Sequence, residues 1–135
     1  IVKEKKIKNL YIHNGNVHEF LDKLDKNLYF NSIWILFPDP WPKKRHFKRR
    51  LINNLFLVKI SKFLKKNAYL NIATDSKSYL NEILFLIFNM KNQFIWENQN
   101  KMEWEYKNVY LAETKYFKKA IKNGANPFFI KLRKL

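Results

Sequence analysis

Three prolines, Pro38, Pro40 and Pro42, fall in one short loop and leave it little backbone freedom. The loop reads Phe37-Pro38-Asp39-Pro40-Trp41-Pro42 and follows the continuous apolar run Ile33-Trp34-Ile35-Leu36-Phe37. The shortness and β-branched content of that run predict a strand buried on both faces, as in a parallel sheet. Directly after the loop come Lys43, Lys44, Arg45, His46, Lys48, Arg49 and Arg50. A carboxylate held rigidly at a strand end beside dense positive charge is the main constraint on what this chain can be.

The rest of the chain is compatible with a folded α/β domain. Its 135 residues amount to one domain or part of one, and 47% of them are hydrophobic, which argues against disorder. Cysteine is absent, which excludes a disulfide framework and a thiolate metal site. His13, His18 and His46 lack ligand spacing, so no metal is expected. The net charge of +16 calls for a polyanionic partner: RNA, DNA or an anionic membrane surface. Part of that excess is compositional, because Lys, Asn, Ile and Phe are used heavily throughout. The most apolar stretch, Ile83 to Phe88, is far short of the ~20 residues that cross a bilayer. With no apolar run at the N-terminus either, a cytoplasmic protein with no membrane association is expected.

Periodicity gives an order of elements. Asn9 to His13 reads as a strand, and Val17 to Lys26 as a short amphipathic helix with Asn16 and Glu19 as its capping box. Phe47 to Lys66 reads as one long helix with Ile52, Phe56, Ile60, Phe63 and Leu64 as its core stripe. Ala68 to Ala73 is a second buried strand, and Asp75 or Ser76 caps a helix carrying Leu80, Ile83, Leu84, Ile87 and Phe88. Gln93 to Glu97 and Phe128 to Leu132 are the remaining strands, with a brief helix over Thr114 to Lys122 between them. Alternation of strands and helices implies a parallel sheet covered on both faces, whose ligands bind outside the strands' carboxyl ends. Asn16, Asp39 and Asp75 each lie just past a predicted strand end, so they should line one edge together.

Each candidate residue has a plain structural reading beside the functional one. Asp39 could cap a rigid turn, but its setting between prolines and beside Trp41 favours function. A carboxylate accepts hydrogen bonds from the amino and imino edge of guanine, and an indole offers a face for stacking. The basic run could be a solvated surface. Its density beside the loop favours phosphate contacts by Lys44, Arg45, Lys48, Arg49 and Arg50. Asp75 and Asn16 are as well explained as helix caps as they are by ligand contact.

The stretch Phe37-Pro-Asp-Pro-Trp-Pro-Lys-Lys-Arg-His46, followed by Lys48-Arg49-Arg50-Leu51, resembles the signature of the bacterial tRNA (guanine-N7-)-methyltransferase family. Ala73-Thr74-Asp75 and Glu113-Thr114-Lys115-Tyr116 resemble that family's second and third motifs, in order and with similar spacing. The resemblance implies a Rossmann-like class I methyltransferase sheet, here its C-terminal portion, with parallel strands, flanking helices and a terminal antiparallel strand. It implies S-adenosyl-L-methionine as cofactor, tRNA as partner, and methylation of a guanine N7 in the variable loop. By position, Asp39 would be the active-site acid and lie against the donor, and Asn16 would meet the donor's adenine. Lys43, Asp75, Thr114, Lys115 and Tyr116 would contact the substrate. Phe117 stands where the family often has Glu, and Asn16 where it usually has Asp.

A Gly-rich donor-binding turn is expected to precede Ile1, making residues 1–135 a single partial domain that alone binds the donor poorly and folds marginally. The alternative reading is a non-catalytic RNA-binding remnant of such an enzyme. A peripheral membrane protein ranks last, because it gives the buried strands and the proline loop no role.

Overall fold

The computed structural model describes residues 8–100, 103–104 and 114–135. Helix α1 (Val17–Lys23) and strand β1 (Phe30–Leu36) are followed by the proline loop and a 3-10 helix (Lys44–Arg49). Then come α2 (Asn54–Ser61), β2 (Leu64–Thr74), α3 (Lys77–Asn89), β3 (Phe94–Trp96), α4 (Lys115–Lys122) and β4 (Phe128–Lys134). The sheet order is β1-β2-β4-β3. β1 and β2 are parallel, with Ile35 opposite Ile72, whereas β4 runs antiparallel to both of its neighbours, with Ile130 opposite Ile72.

β2 is the interior strand nearest the proline loop. Its residues Leu70 to Thr74 are buried on both alternating faces. Phe56, Leu57 and Ile60 of α2 and Tyr79, Leu80, Ile83 and Ile87 of α3 join Leu70, Ile72, Ile130 and Leu132 in one core. Burying side chains of this size stabilises the fold by roughly 1.5–3 kcal/mol each. No helix among the described residues is long and apolar enough to cross a membrane.

Three sequence expectations change. The single helix over Phe47 to Lys66 is broken into a 3-10 turn, an extended link and α2. Asn53 causes the break, because its Oδ1 accepts from the Phe56 N–H and starts a new helix there. Leu64, assigned to that helix's stripe, opens β2 instead. Asn9 to His13 forms no strand; Tyr11 and Ile12 are exposed and pair with nothing described. β1, expected to be buried on both faces, pairs only with β2 among the described residues and leaves Trp34 48% exposed. Its open side borders an apolar groove lined by Val17, Phe20, Trp34 and Leu36.

Candidate active site

The carboxyl end of β1 passes into the proline loop without releasing β2. The Phe37 N–H donates to the Ala73 carbonyl at 2.9 Å while Phe37 itself turns the chain at φ 51°. Trp41 adopts φ 41°. Two non-glycine residues in the left-handed region thus bracket Asp39, and such backbone persists only where its surroundings hold it. Asp39 projects from this rigid bend into solvent.

Asp75 follows β2 at the same edge and is also exposed. The capping reading of Asp75 does not apply: Ser76 is the N-cap of α3, and its side chain accepts from the Tyr79 N–H. Among the described residues the Asp75 carboxylate has no hydrogen-bond partner, so it is available to a ligand. From α4, Tyr116 leans over the loop, its ring stacked on Phe37 at 6.5 Å between centroids. Phe37, Pro38, Asp39, Pro40, Asp75, Tyr116, Lys119 and Asn123 line one cleft of about 170 Å³. Three segments far apart in sequence therefore meet at the strands' carboxyl ends, where ligands of open α/β sheets bind.

The other sequence candidates sort by position. Asn16 is not in this cleft; its Oδ1 accepts from the His18 N–H at 2.8 Å and caps α1. Thr114 caps α4 by accepting from the Phe117 N–H at 3.1 Å, and Lys115 is exposed in that helix's first turn. Glu113 lies outside the described residues. Lys43, Lys44, Arg45, Lys48 and Arg49 are exposed along and beside the 3-10 helix, as phosphate contact requires. Trp41 is already engaged, with the Arg49 guanidinium 5.0 Å from its ring centroid and His46 packed edge-on at 5.8 Å.

Arg50 is a correction. It was expected to touch RNA phosphate, but it is 2% exposed and its charge is consumed inside the protein. Its guanidinium pairs with Glu82, donates to Pro40 and Ser78, and packs on Phe47 and Tyr79. A phosphate cannot reach it.

Sequence reasoning missed Lys119 and Asn123. The signal was the spacing Tyr116, Lys119, Asn123, which places all three along one face of α4. Phe117, in contrast, turns toward Phe129 of β4, with 6.5 Å between ring centroids. An aromatic residue suits that setting better than the Glu of the resembled motif.

These elements and their cleft define an α/β domain of Rossmann-like methyltransferase type. A Streptococcus mutans protein solved in complex with SAH has the same fold, with a TM-score of 0.50 at 10% identity over 99% of this chain and 66% of that one. The chain belongs to the family described as "Putative methyltransferase", whose model matches residues 1–130. Among its curated relatives is a tRNA (guanine-N(7)-)-methyltransferase of Buchnera aphidicola subsp. Schizaphis graminum. It is 40% identical over 129 residues, covering 96% of this chain and 53% of the relative. The enzyme of the same name from Bartonella quintana is 34% identical over 122 residues, covering 90% and 52% respectively. The chain spans about half the length of the curated relatives it matches.

Proposed function

We propose that this chain carries the substrate-facing side of an enzyme that transfers a methyl group from S-adenosyl-L-methionine to N7 of a guanine in the tRNA variable loop, in the cytoplasm. The observation that carries the reading is the convergence of Asp39, Asp75 and Tyr116 on one cleft. Its volume of about 170 Å³ is small beside the roughly 300 Å³ where drug-sized sites begin. It suits a single ring system, with the polymer that bears the ring lying outside. The names of the relatives supply the reaction.

Guanine N7 has an in-plane lone pair and no proton, so it is already a nucleophile and needs no general base. Carboxylates that accept from the opposite edge of the base, N1–H and the exocyclic amine, leave N7 presented outward. Asp75 is the candidate for this contact, with Tyr116 covering the ring and Asp39 kept for the donor side. Methyl transfer would form the N7–carbon bond as the donor's methyl–sulfur bond breaks and a neutral thioether leaves. The positive charge would thus pass onto the purine, in a cleft lined by both carboxylates. The remaining work is alignment, which the proline loop provides by fixing Asp39 before substrate arrives.

When bound, S-adenosyl-L-methionine supplies an electrophilic methyl carbon on a cationic sulfur. Among the described residues the fit to it is electrostatic: the exposed Asp39 carboxylate at the end of β1 complements a sulfonium. Asn16 keeps its amide N–H groups for the donor while its oxygen caps α1. Lys43, Lys44, Arg45, Lys48 and Arg49 hold tRNA phosphates beside the cleft. RNA binding without methyl transfer would leave the paired carboxylates unexplained. With protein from the complete reading frame, unmodified tRNA and labelled donor, N7-methylguanine should form and Asp39→Ala should abolish it. Full activity in that variant would refute the assignment.

A further inference from the structure

Burying a cation is costly unless hydrogen bonds and an opposite charge compensate it. Arg50 has such compensation, and its partners come from the proline loop and from α3, the helix that follows Asp75. On one side its Nε donates to the Pro40 carbonyl at 2.9 Å, one residue beyond Asp39. On the other its terminal nitrogens donate to the Ser78 carbonyl at 3.4 Å and the Ser78 Oγ at 2.9 Å, three residues beyond Asp75. Glu82, one turn further along α3, completes the set as its ion-pair partner. Ser78 Oγ also lies 3.3 Å from the Oγ of Ser76, the cap that follows Asp75. Phe47 and Tyr79 flank the guanidinium at 3.6 Å and 4.8 Å from their ring centroids and hold its plane.

We infer that Arg50 is a positioning residue: it clamps the Pro40 carbonyl to the first turn of α3 and so sets the separation and orientation of Asp39 and Asp75. Nothing else among the described side chains hydrogen-bonds to both the proline loop and α3. A planar five-donor fork can serve a carbonyl, a hydroxyl and a carboxylate at once, whereas an ammonium cannot hold that geometry. The clamp also accounts for the left-handed turns at Phe37 and Trp41, which need an anchor between them. The inference rests on the reading that both carboxylates serve one transfer site.

The test is Arg50→Lys in protein from the complete reading frame, assayed well below its melting temperature. The expected result is a 10- to 100-fold loss of kcat. KM for tRNA should stay within about threefold, and the salt dependence of tRNA binding should be unchanged. Amide exchange should rise in 37–43 and in 77–82 together. A retained kcat in the folded variant would overturn the clamp. A raised KM for tRNA with kcat retained would overturn it too, by making Arg50 a substrate contact and not a positioning residue. Should Arg50→Lys not fold, Ser78→Ala removes one acceptor and leaves the Glu82 pair intact; a several-fold loss of kcat at constant KM is then expected, and an unchanged kcat overturns the clamp. Wild-type protein without methyl transfer would sink the proposed function instead. In that event the exchange data alone decide the clamp, with faster exchange in both segments for it and unchanged exchange against it.

Discussion

At most positions glycine destabilises a protein relative to alanine, but at position 37 the order should invert. Phe37 sits at φ 51°, where an L-residue pays roughly 1–2 kcal/mol that glycine does not. Glycine's greater unfolded-state freedom offsets about 0.5–1 kcal/mol of that relief. Phe37→Gly and Phe37→Ala both lose the ring stacked on Tyr116, and both keep the N–H donated to Ala73, so these contributions cancel in the comparison. The glycine variant should therefore be the more stable by about 0.5–1 kcal/mol, or roughly 2–4 °C in Tm for a chain of this size. Activity should run the other way. Glycine releases the turn two residues before Asp39, so kcat should fall several-fold further in Phe37→Gly than in Phe37→Ala. Melting curves by circular dichroism and urea midpoints on both variants supply the test. An alanine variant as stable as the glycine one would refute the argument that the loop stores left-handed strain.

Lys48→Ala removes an exposed charge from the 3-10 helix; tRNA affinity should drop and the slope of log affinity against log salt should become shallower by about 0.7–0.9. Lys119→Ala takes a cation out of the cleft itself, and kcat/KM should fall roughly 10- to 150-fold, as expected for losing a charged hydrogen bond. The Tyr79 phenol, pushed up to about 12 chiefly by burial, should ionise above the ordinary tyrosine range when absorbance is followed at alkaline pH. Its folded pKa is raised, so its contribution, on the order of 2 kcal/mol, is fully present below pH 10 and is lost as pH climbs toward 12. Tyr79→Phe should remove that part of the alkaline loss, measured by urea unfolding at several pH values.

What the sequence made legible was whatever local chemistry controls. Prolines fix their own φ, so the bend carrying Asp39 could be placed before any contact was known. The continuous apolar runs located β1 and β2, and the ends of those strands located Asp39 and Asp75. Arg50 was misread because burial is a tertiary property: in sequence it is one more cation after Lys48 and Arg49, and Glu82 lies 32 residues away. The long helix was misread because apolar spacing continued across Asn53, whose capping chemistry was the better signal. Lys119 was missed because α4 is brought to the cleft by tertiary packing, such as that of Tyr116 on Phe37, which its own sequence does not announce.

The placing of β4 bears on how the protein is made. Phe128–Lys134 comes last of the four strands in sequence, yet it lies between β2 and β3 and is hydrogen-bonded to both. On the ribosome, β1 and β2 can pair early, but β2 then waits with one edge bare and Leu70 and Ile72 short of their partners Leu132 and Ile130. β3 has no route into the sheet until β4 emerges. Nascent chains of this design present a sticky strand edge from the completion of β2 until β4 emerges, so chaperone holding during translation should govern yield more than the stability of the finished fold.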